Sequence, residues 1–323
     1  MKAAVYYETG APDVFKYEDV PDPKCGAMQV LIEVQVVSIE GGDVGNRAGG
    51  DMAGKPHIVG YQCAGLVREA GSSVTDRKVG DRVVAIMQYG SHAGLVVANP
   101  LQTWLIPDGM DMQQAACIPI PFGTAHDCLF EFGRLQAGET VLIQAGAGGV
   151  GLAAIQLAKR AGATVLSTAS SDERLERLKE FGLDHGINYR ATPNWIPEAM
   201  RLGGGRGVDL VVDSVGTTLE GSIAAAGYRG RVVTVGNAGR AESRMIDVQT
   251  LSAMNKSLTG VFFGAEMIMR PERARALVEK MIGDVAKGEL RVVIDRTYPL
   301  SEAAAAHAYI ESRQAFGRVL LIP

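Results

Sequence analysis

The sequence predicts an α/β chain in which a doubly wound parallel sheet is inserted in a mostly β domain. Three observations carry that expectation. Strands and helices alternate regularly from Thr140 onward, short strands punctuated by Gly, Pro and Asp fill residues 1–100, and two β runs, Arg291–Pro299 and Arg318–Ile322, follow the alternation. A βαβαβ rhythm implies parallel pairing with right-handed crossovers. Many short strands suggest a barrel-like β domain. The late β runs send the C-terminal segment back to that first domain, with a ligand cleft expected between the two domains. The 323 residues, 47% hydrophobic and 21% charged, suffice for two such domains. The expected boundaries are 1–120 for the first β part, 121–256 for the inserted domain, and 257–323 for its last strand and the return.

The elements follow in order. MKAAVYY, Gln29–Val37, Ile58–Ala70 and Asp81–Met87 show the apolar runs and alternation of strands, with turns at Gly71–Gly80 and Gly90–Gly94. Gln113–Phe132 reads as helical, interrupted where Pro119 and Pro121 break or start a helix. In the inserted domain, strand 141–144 leads to helix 149–161 and strand 163–168 to helix 171–181. Asp209–Asp213 leads to an apolar helix near Thr218–Ala226 and then to strand Arg231–Val235, with Leu258–Phe263 as the last strand. Glu272–Lys287 is an amphipathic helix carrying Ala276, Leu277, Val278, Met281 and Ile282.

Val141–Gly151, VLIQAGAGGVG, is the most informative stretch. A buried strand is followed by Gly146, Gly148 and Gly151 in G-x-G-x-x-G spacing, and a helix with Val150, Ala154, Leu157, Ala158 and Ala161 on one face starts at once. That order is a dinucleotide-binding fingerprint. The first glycine is expected to allow the tight turn, the second to admit the pyrophosphate, and the third to let helix and strand pack closely. The unpaired amides of Gly149, Val150 and Gly151 at the helix start suit phosphate.

Composition narrows the function classes. A net charge of −4 gives no electrostatic case for a nucleic-acid or anionic-membrane partner. The N-terminus meets Glu8 too early for a signal-peptide core, and the uncharged stretch Val141–Ala158 is better explained by the glycine fingerprint than by a membrane span. A cytoplasmic location is expected. Cys25, Cys63, Cys117 and Cys128 form no C-x-x-C, and the five histidines form no H-x-x-x-H pair.

At LQAGETVLIQAGAGGVGLAAIQLAKRAGATVLSTASSDERLERLKEFGLDHGINYR the chain resembles the medium-chain dehydrogenase/reductase superfamily, and within it the zinc-independent quinone oxidoreductase (zeta-crystallin-like) branch. Val79–Ile86, Phe122–Glu139, Gly207–Gly216 and Gly230–Asn237 extend the resemblance in the family's order and spacing over nearly the full chain. It implies a Rossmann domain inserted in a GroES-like substrate domain, and a homodimer formed through the Rossmann sheet edge. The superfamily divides on zinc. Where zinc-using relatives resemble Cys-x-Ser/Thr-Asp this chain has Glu40-Gly41-Gly42-Asp43, where they have Gly-His-Glu it has Gly60-Tyr61-Gln62, and a third ligand position falls at the apolar Ile120. A catalytic zinc needs about three N, S or carboxylate donors, so no metal site is expected.

NADPH is the expected cofactor. NAD-binding units carry an acid at the end of the second strand; here that end reads Ala169-Ser170-Ser171, with Arg174 one turn later to bind a 2′-phosphate. The resemblance adds Tyr189 and Arg318 as neighbours of the adenosine phosphate. Against this, Ser170-x-x-Glu173 also reads as a capping box and Arg174 as a solvated helix residue. Asp172 is expected inside the first turn of the helix, where an acid is favoured anyway.

Without zinc, a quinone or an activated C=C bond is an easier hydride acceptor than a simple carbonyl, because a few hydrogen-bond donors stabilise its delocalised charge. The resemblance places Thr124 near the nicotinamide, where it is alternatively a helix N-cap. It places Phe262, Phe263 and Gly264 on a strand whose backbone faces the carboxamide. Val215, Gly216, Gly236 and Asn237 close strand ends beside the cofactor. Glu40 is either a proton donor with a raised pKa or a paired structural carboxylate. Tyr61, Tyr89 and His92 are the substrate-pocket candidates. Quinone reduction is the first expectation, an enoyl or alkenal reductase the second, and a non-catalytic NADPH-binding protein the third.

Overall fold

The computed structural model describes residues 1–240 and 245–323, which divide into two compact units, Met1–Ile120 with Ala265–Pro323, and Pro121–Gly264. The first unit opens with strands β1 (Lys2–Val5), β2 (Lys16–Asp19) and β3 (Val30–Ser38). Helix α1 (Gly41–Gly49) comes next, then β4 (Gln62–Ala70), β5 (Arg82–Ile86), β6 (Leu95–Ala98), β7 (Thr103–Leu105) and α2 (Met112–Ala115), and α3 (Pro119–His126) carries the chain into the second unit. The second unit holds β8 (Thr140–Ile143), α4 (Gly149–Arg160), β9 (Thr164–Ala169), α5 (Asp172–Lys179), β10 (His185–Asn188) and α6 (Ile196–Leu202). It continues with β11 (Val208–Asp213), α7 (Leu219–Ala225), β12 (Ala226–Thr234), α8 (Gln249–Ser252) and β13 (Ser257–Gly260). Helix α9 (Phe263–Met269), α10 (Pro271–Ala286), β14 (Ile294–Pro299), α11 (Ala303–Glu311) and β15 (Arg318–Ile322) complete the chain.

Among the described residues, the second unit is built on a six-stranded sheet in the order β10-β9-β8-β11-β12-β13, with every neighbouring pair parallel. Counted from β8 this is the 3-2-1-4-5-6 order of a Rossmann fold, with its switch point between β8 and β11. The strands read as apolar runs because both faces are covered. Val141, Leu142, Val165, Leu166, Leu210, Val211, Val232 and Val233 are all fully buried.

The first unit's main sheet runs β14-β15-β3-β4-β5-β7, with β6 also on β3. β15 pairs antiparallel with β3 through Leu320 and Leu321 against Ser38 and Val37, which is how the C-terminal segment rejoins the first unit. Ile32, Val37, Cys63, Val83, Ala85 and Leu321 form part of one buried cluster.

Several local expectations change. The strand drawn to Phe263 ends at Gly260, because its parallel partner β12 ends at Thr234, and Phe263 opens α9. The helical reading across Gln113–Phe132 resolves into α2, α3 and a π-turn at Asp127–Glu131. Helix α1 was not anticipated in so glycine-rich a stretch. It is held by a box in which the Glu40 amide donates to Asp43 Oδ2 at 2.9 Å, and by Arg47, buried inside the unit and bonded to Gly10 O and Glu311. The polar edge strand β10 and helices α6 and α11 also went unread.

Candidate functional site

Two arrangements, one on each unit, carry the chemistry. On the second unit, the turn after β8 shows why glycines stand where they do. A Cβ at Gly146 would fall 2.1 Å from Ser167 Oγ and 3.0 Å from Leu178 Cδ1. A Cβ at Gly151 would fall 2.5 Å from the Ala145 carbonyl oxygen. The left-handed residue of the turn is Ala145, at φ 55°, so Gly146 is required by its neighbours on β9 and α5 rather than by its own backbone. Gly148 caps α4 without a side chain, and its nearest obstruction would be 3.4 Å away. The first α4 amide bonded within the helix is that of Leu152, to Gly148 O at 2.9 Å. Gly149, Val150 and Gly151 therefore form a helix start of the kind that receives phosphate oxygens.

At the end of β9, Ser171 is the N-cap of α5, accepting from the Arg174 amide at 3.3 Å. The capping box placed on Ser170 is thus shifted by one residue, which leaves the Ser170 hydroxyl outside the cap. Asp172 is the first residue of α5 and accepts from Asn188 Nδ2 at 3.0 Å, so its carboxylate is engaged within the strand end. The Tyr189 amide bonds to Ala169 O at 3.1 Å. Ser170, Arg174 and Tyr189 therefore gather at one strand end.

Across the switch point, Asp213 Oδ1 accepts from the amides of Val215 and Gly216, both at 2.9 Å. The loop after β12 stacks on this one: Gly239 donates to Val215 O at 2.7 Å, and a Cβ at Gly216 would meet Asn237 Oδ1 at 2.7 Å. Gly236 sits at φ 69°. Val215, Gly216, Gly236 and Asn237 thus share one ledge at the C-terminal ends of β11 and β12. Thr124 is buried inside α3, so it does not cap that helix. The residue before it, Gly123, takes the Phe263 ring, and a Cβ there would fall 2.5 Å from Phe263 Cζ. Phe262, Phe263 and Gly264 are therefore not strand backbone. Phe263 is a packed side chain at the start of α9, and Phe262 is 73% exposed with its ring over Gly264.

On the first unit Gln62 ties together Glu40 and Ile120, two of the three positions matched to zinc ligands; the third is Tyr61. Gln62 Nε2 donates to Glu40 Oε1 at 3.0 Å, and the Ile120 amide donates to Gln62 Oε1 at 2.7 Å. Arg318 completes the cluster, bonding Ser38 Oγ through Nη2 and Nε at 2.7 and 3.1 Å, the Ile39 carbonyl at 2.7 Å, and Glu40 Oε1. Arg318 is buried here with its guanidinium bonded to β3, Ile39 and Glu40, an arrangement that does not support the expected place beside the adenosine phosphate. Burial pushes the Glu40 carboxyl up to about 7, with Arg318 opposing the rise. Glu40 is therefore a paired, buried carboxylate, 4% exposed, as the structural alternative for it expects.

Tyr61 packs its hydroxyl over Gly42, where a Cβ would fall 2.3 Å from the phenol oxygen. Burial, then Asp43, then Glu40 hold its phenol well above the ordinary tyrosine range. Tyr61 keeps partial exposure, and Tyr89 is 48% exposed beside His57, their ring centroids 5.5 Å apart. His92 is not a pocket residue. It is fully buried, 3.1 Å from His307 through the two Nε2 atoms, and burial lowers it to about 3. The bond from the Ala4 amide to His92 O at 2.9 Å turns this residue into the core. Gln62, Asp43 and Asp213 are site residues that the sequence reading did not single out. The signal for Asp213 was a charge ending an apolar strand.

This donor set does not fit zinc. The Glu40 carboxylate is already shared by a guanidinium and an amide, position 120 offers only a backbone amide, and a fixed cation occupies the centre. Among the described residues, no cluster of three or more His, Cys, Asp or Glu side chains is placed to bind a metal.

A 3-2-1-4-5-6 sheet with a glycine turn at its switch point, encoded between the two chain segments of a β unit, defines a two-part dehydrogenase. Residues 149–295 match the zinc-binding dehydrogenase family model and residues 26–103 the alcohol dehydrogenase GroES-like domain. The chain belongs to the medium-chain dehydrogenase/reductase superfamily, on its quinone oxidoreductase branch. It is 32% identical to a quinone oxidoreductase of Pseudomonas aeruginosa over 97% of both chains, and 31% identical to a 2-haloacrylate reductase of Burkholderia over 100% of this chain and 99% of that one. Among solved structures it is similar to an Escherichia coli quinone oxidoreductase complexed with NADPH, with a TM-score of 0.94, 25% identity and full coverage of both chains.

Proposed function

We propose that this protein is a zinc-independent, NADPH-dependent reductase that delivers hydride to a quinone. The observation that carries this reading is the Glu40–Gln62–Ile120–Arg318 network, which engages two of the three positions matched to zinc ligands, the third being the phenol Tyr61. With no metal to polarise a simple carbonyl, the acceptor must spread its own negative charge, as a quinone does. The relatives that share the fold across their full length include quinone oxidoreductases.

NADPH would be held by the α4 start at Gly148–Gly151, by Ser170, Arg174 and Tyr189 around the 2′-phosphate, and by the Val215–Gly216 and Gly236–Asn237 ledge. The bound cofactor supplies a hydride. The chain's own part is to orient the dinucleotide, exclude an acid from the 2′-phosphate side, and present hydroxyls to the acceptor oxygen. Tyr61, partly exposed on the first unit, and Thr124, on the second, are the hydroxyl-bearing side chains proposed for that last task. The absorbance of NADPH, followed with panels of quinones and of enones, tests the reading. Turnover of enones with none of quinones would favour the second reading, an activated C=C reductase, which the full-length similarity to a 2-haloacrylate reductase supports. Binding without any turnover would favour the non-catalytic reading.

A homodimer through β13 is part of the proposal. β13 ends the sheet order, so its outer edge offers a ladder to a second copy. The proposed location is the cytoplasm. No helix among the described residues is long and apolar enough to cross a membrane.

A further inference from the structure

We propose that Asp213 is a positioning residue for the dinucleotide, the end point of one hydrogen-bonded chain that locks the glycine turn after β8 to the loop after β11. This rests on the cofactor reading above. The chain runs in one direction. The Ala145 amide donates to Thr168 Oγ1 at 3.1 Å, and Thr168 donates to Gln144 Oε1 at 2.7 Å. Gln144 Nε2 donates to Ser222 Oγ at 3.3 Å, and Ser222 donates to Asp213 Oδ2 at 2.7 Å. From the other side, Asp213 Oδ1 takes the Val215 and Gly216 amides, and Thr218 Oγ1 lies 3.0 and 2.9 Å from the two carboxylate oxygens.

Gln144, Thr168, Asp213 and Ser222 are all buried, so none can trade a lost partner for bulk water. A hydroxyl has one proton to give, so the direction of every bond is fixed by the member that can only accept, the carboxylate. Stability alone does not explain that charge. Among the described residues no cation pairs with Asp213, and a buried carboxylate without one is a cost that an uncharged side chain avoids. What the charge does gain is two backbone amides drawn into one tight turn. The two ends of the chain are the two halves of the proposed cofactor site. Ala145 opens the glycine turn in a left-handed conformation, and Val215 with Gly216 forms the bed on which the Gly236–Gly239 loop rests.

In Asp213→Asn the Nδ2 group faces Thr218 and Ser222, so donors meet donors and the chain loses its direction. The test is equilibrium binding to the folded full-length protein of NADPH and of 2′-phospho-ADP-ribose, which lacks the nicotinamide ring. Asp213→Asn should weaken NADPH by about tenfold and 2′-phospho-ADP-ribose by less than about twofold, because its effect enters from the β11 loop. Thr168→Val, which breaks the chain at the glycine turn, should weaken both ligands, and Thr168→Ser should restore them. In the double variant the NADPH loss should fall short of the product of the single losses. Unchanged affinity for NADPH in both single variants, or losses that simply multiply, would overturn the proposal, even if melting temperatures fell. If the native protein itself fails to bind NADPH, the cofactor reading is what fails.

Discussion

Arg318→Met removes one partner of a buried ion pair and separates the two roles considered for this arginine. Glu40 and Arg318 have side chains only 4% and 9% exposed. The substitution strips Ser38 Oγ and the Ile39 carbonyl of their donors and leaves Glu40 with the Gln62 amide. Breaking such a pair from one side costs about 3–5 kcal/mol. Protonation of Glu40 limits that cost. Its carboxyl already stands near 7 with Arg318 beside it, and without the guanidinium it rises further. A carboxyl whose folded pKa lies above its unfolded value of 4.5 holds its proton more tightly in the folded state, so stability falls as pH rises through that interval. The loss in Arg318→Met should therefore be greatest above neutrality and shrink toward pH ~5. Glu40→Leu combined with Arg318→Met should recover part of it, since an apolar pair of similar volume is tolerated where a lone charge is not. Urea unfolding at several pH values gives the stabilities, and titration with NADPH and NADH gives the discrimination ratio. A ratio reduced more than about tenfold with stability within about 1 kcal/mol of the native protein would refute the argument and return Arg318 to the phosphate site.

Acid should destabilise the fold through the buried histidine pair. His92 is lowered to about 3 by burial, and His307 well below its ordinary value by burial and then by His92, so the stability both contribute is complete above 6.5 and is lost as pH falls. For His92 alone the slope is about 1.4 kcal/mol per pH unit, or about 2 kcal/mol by pH 5; a urea midpoint identical at pH ~7 and pH ~5 would show that the pair takes up protons as readily folded as unfolded. Gly146→Ala should reduce NADPH affinity by about tenfold or more and lower the melting temperature, because its Cβ would lie 2.1 Å from Ser167 Oγ. Unaltered binding there would mean the turn yields easily. Tyr61→Phe should cut kcat by about tenfold with the NADPH dissociation constant unchanged, since it removes a donor and no packing; equal loss in both would assign the hydroxyl to the fold instead.

What was legible in the sequence was what short-range patterns encode. The glycine turn, its strand and its helix lie within residues 140–160, and the serines ending β9 follow shortly after, so one local pattern carries the proposal for the dinucleotide face. The mismatches at Glu40, Tyr61 and Ile120 were equally visible. What filled the gap was not, because Arg318 reaches Glu40 across 278 residues of chain and only the pairing of β15 with β3 brings them together. His92 looked like a loop histidine because burial of an imidazole beside a second one, 215 residues away, leaves no local mark. The strand end at Gly260 and the packing of Phe263 on Gly123 likewise depend on partners, β12 and α3, that local propensity does not see.

The central claim is a metal-free hydride donor that prefers NADPH, and steady-state kinetics with a quinone acceptor tests it most directly. The kcat/KM for NADPH should exceed that for NADH by about tenfold or more and stay unchanged after treatment with a strong zinc chelator. Equal use of NADH, or activity abolished by the chelator and restored by zinc, would contradict the account.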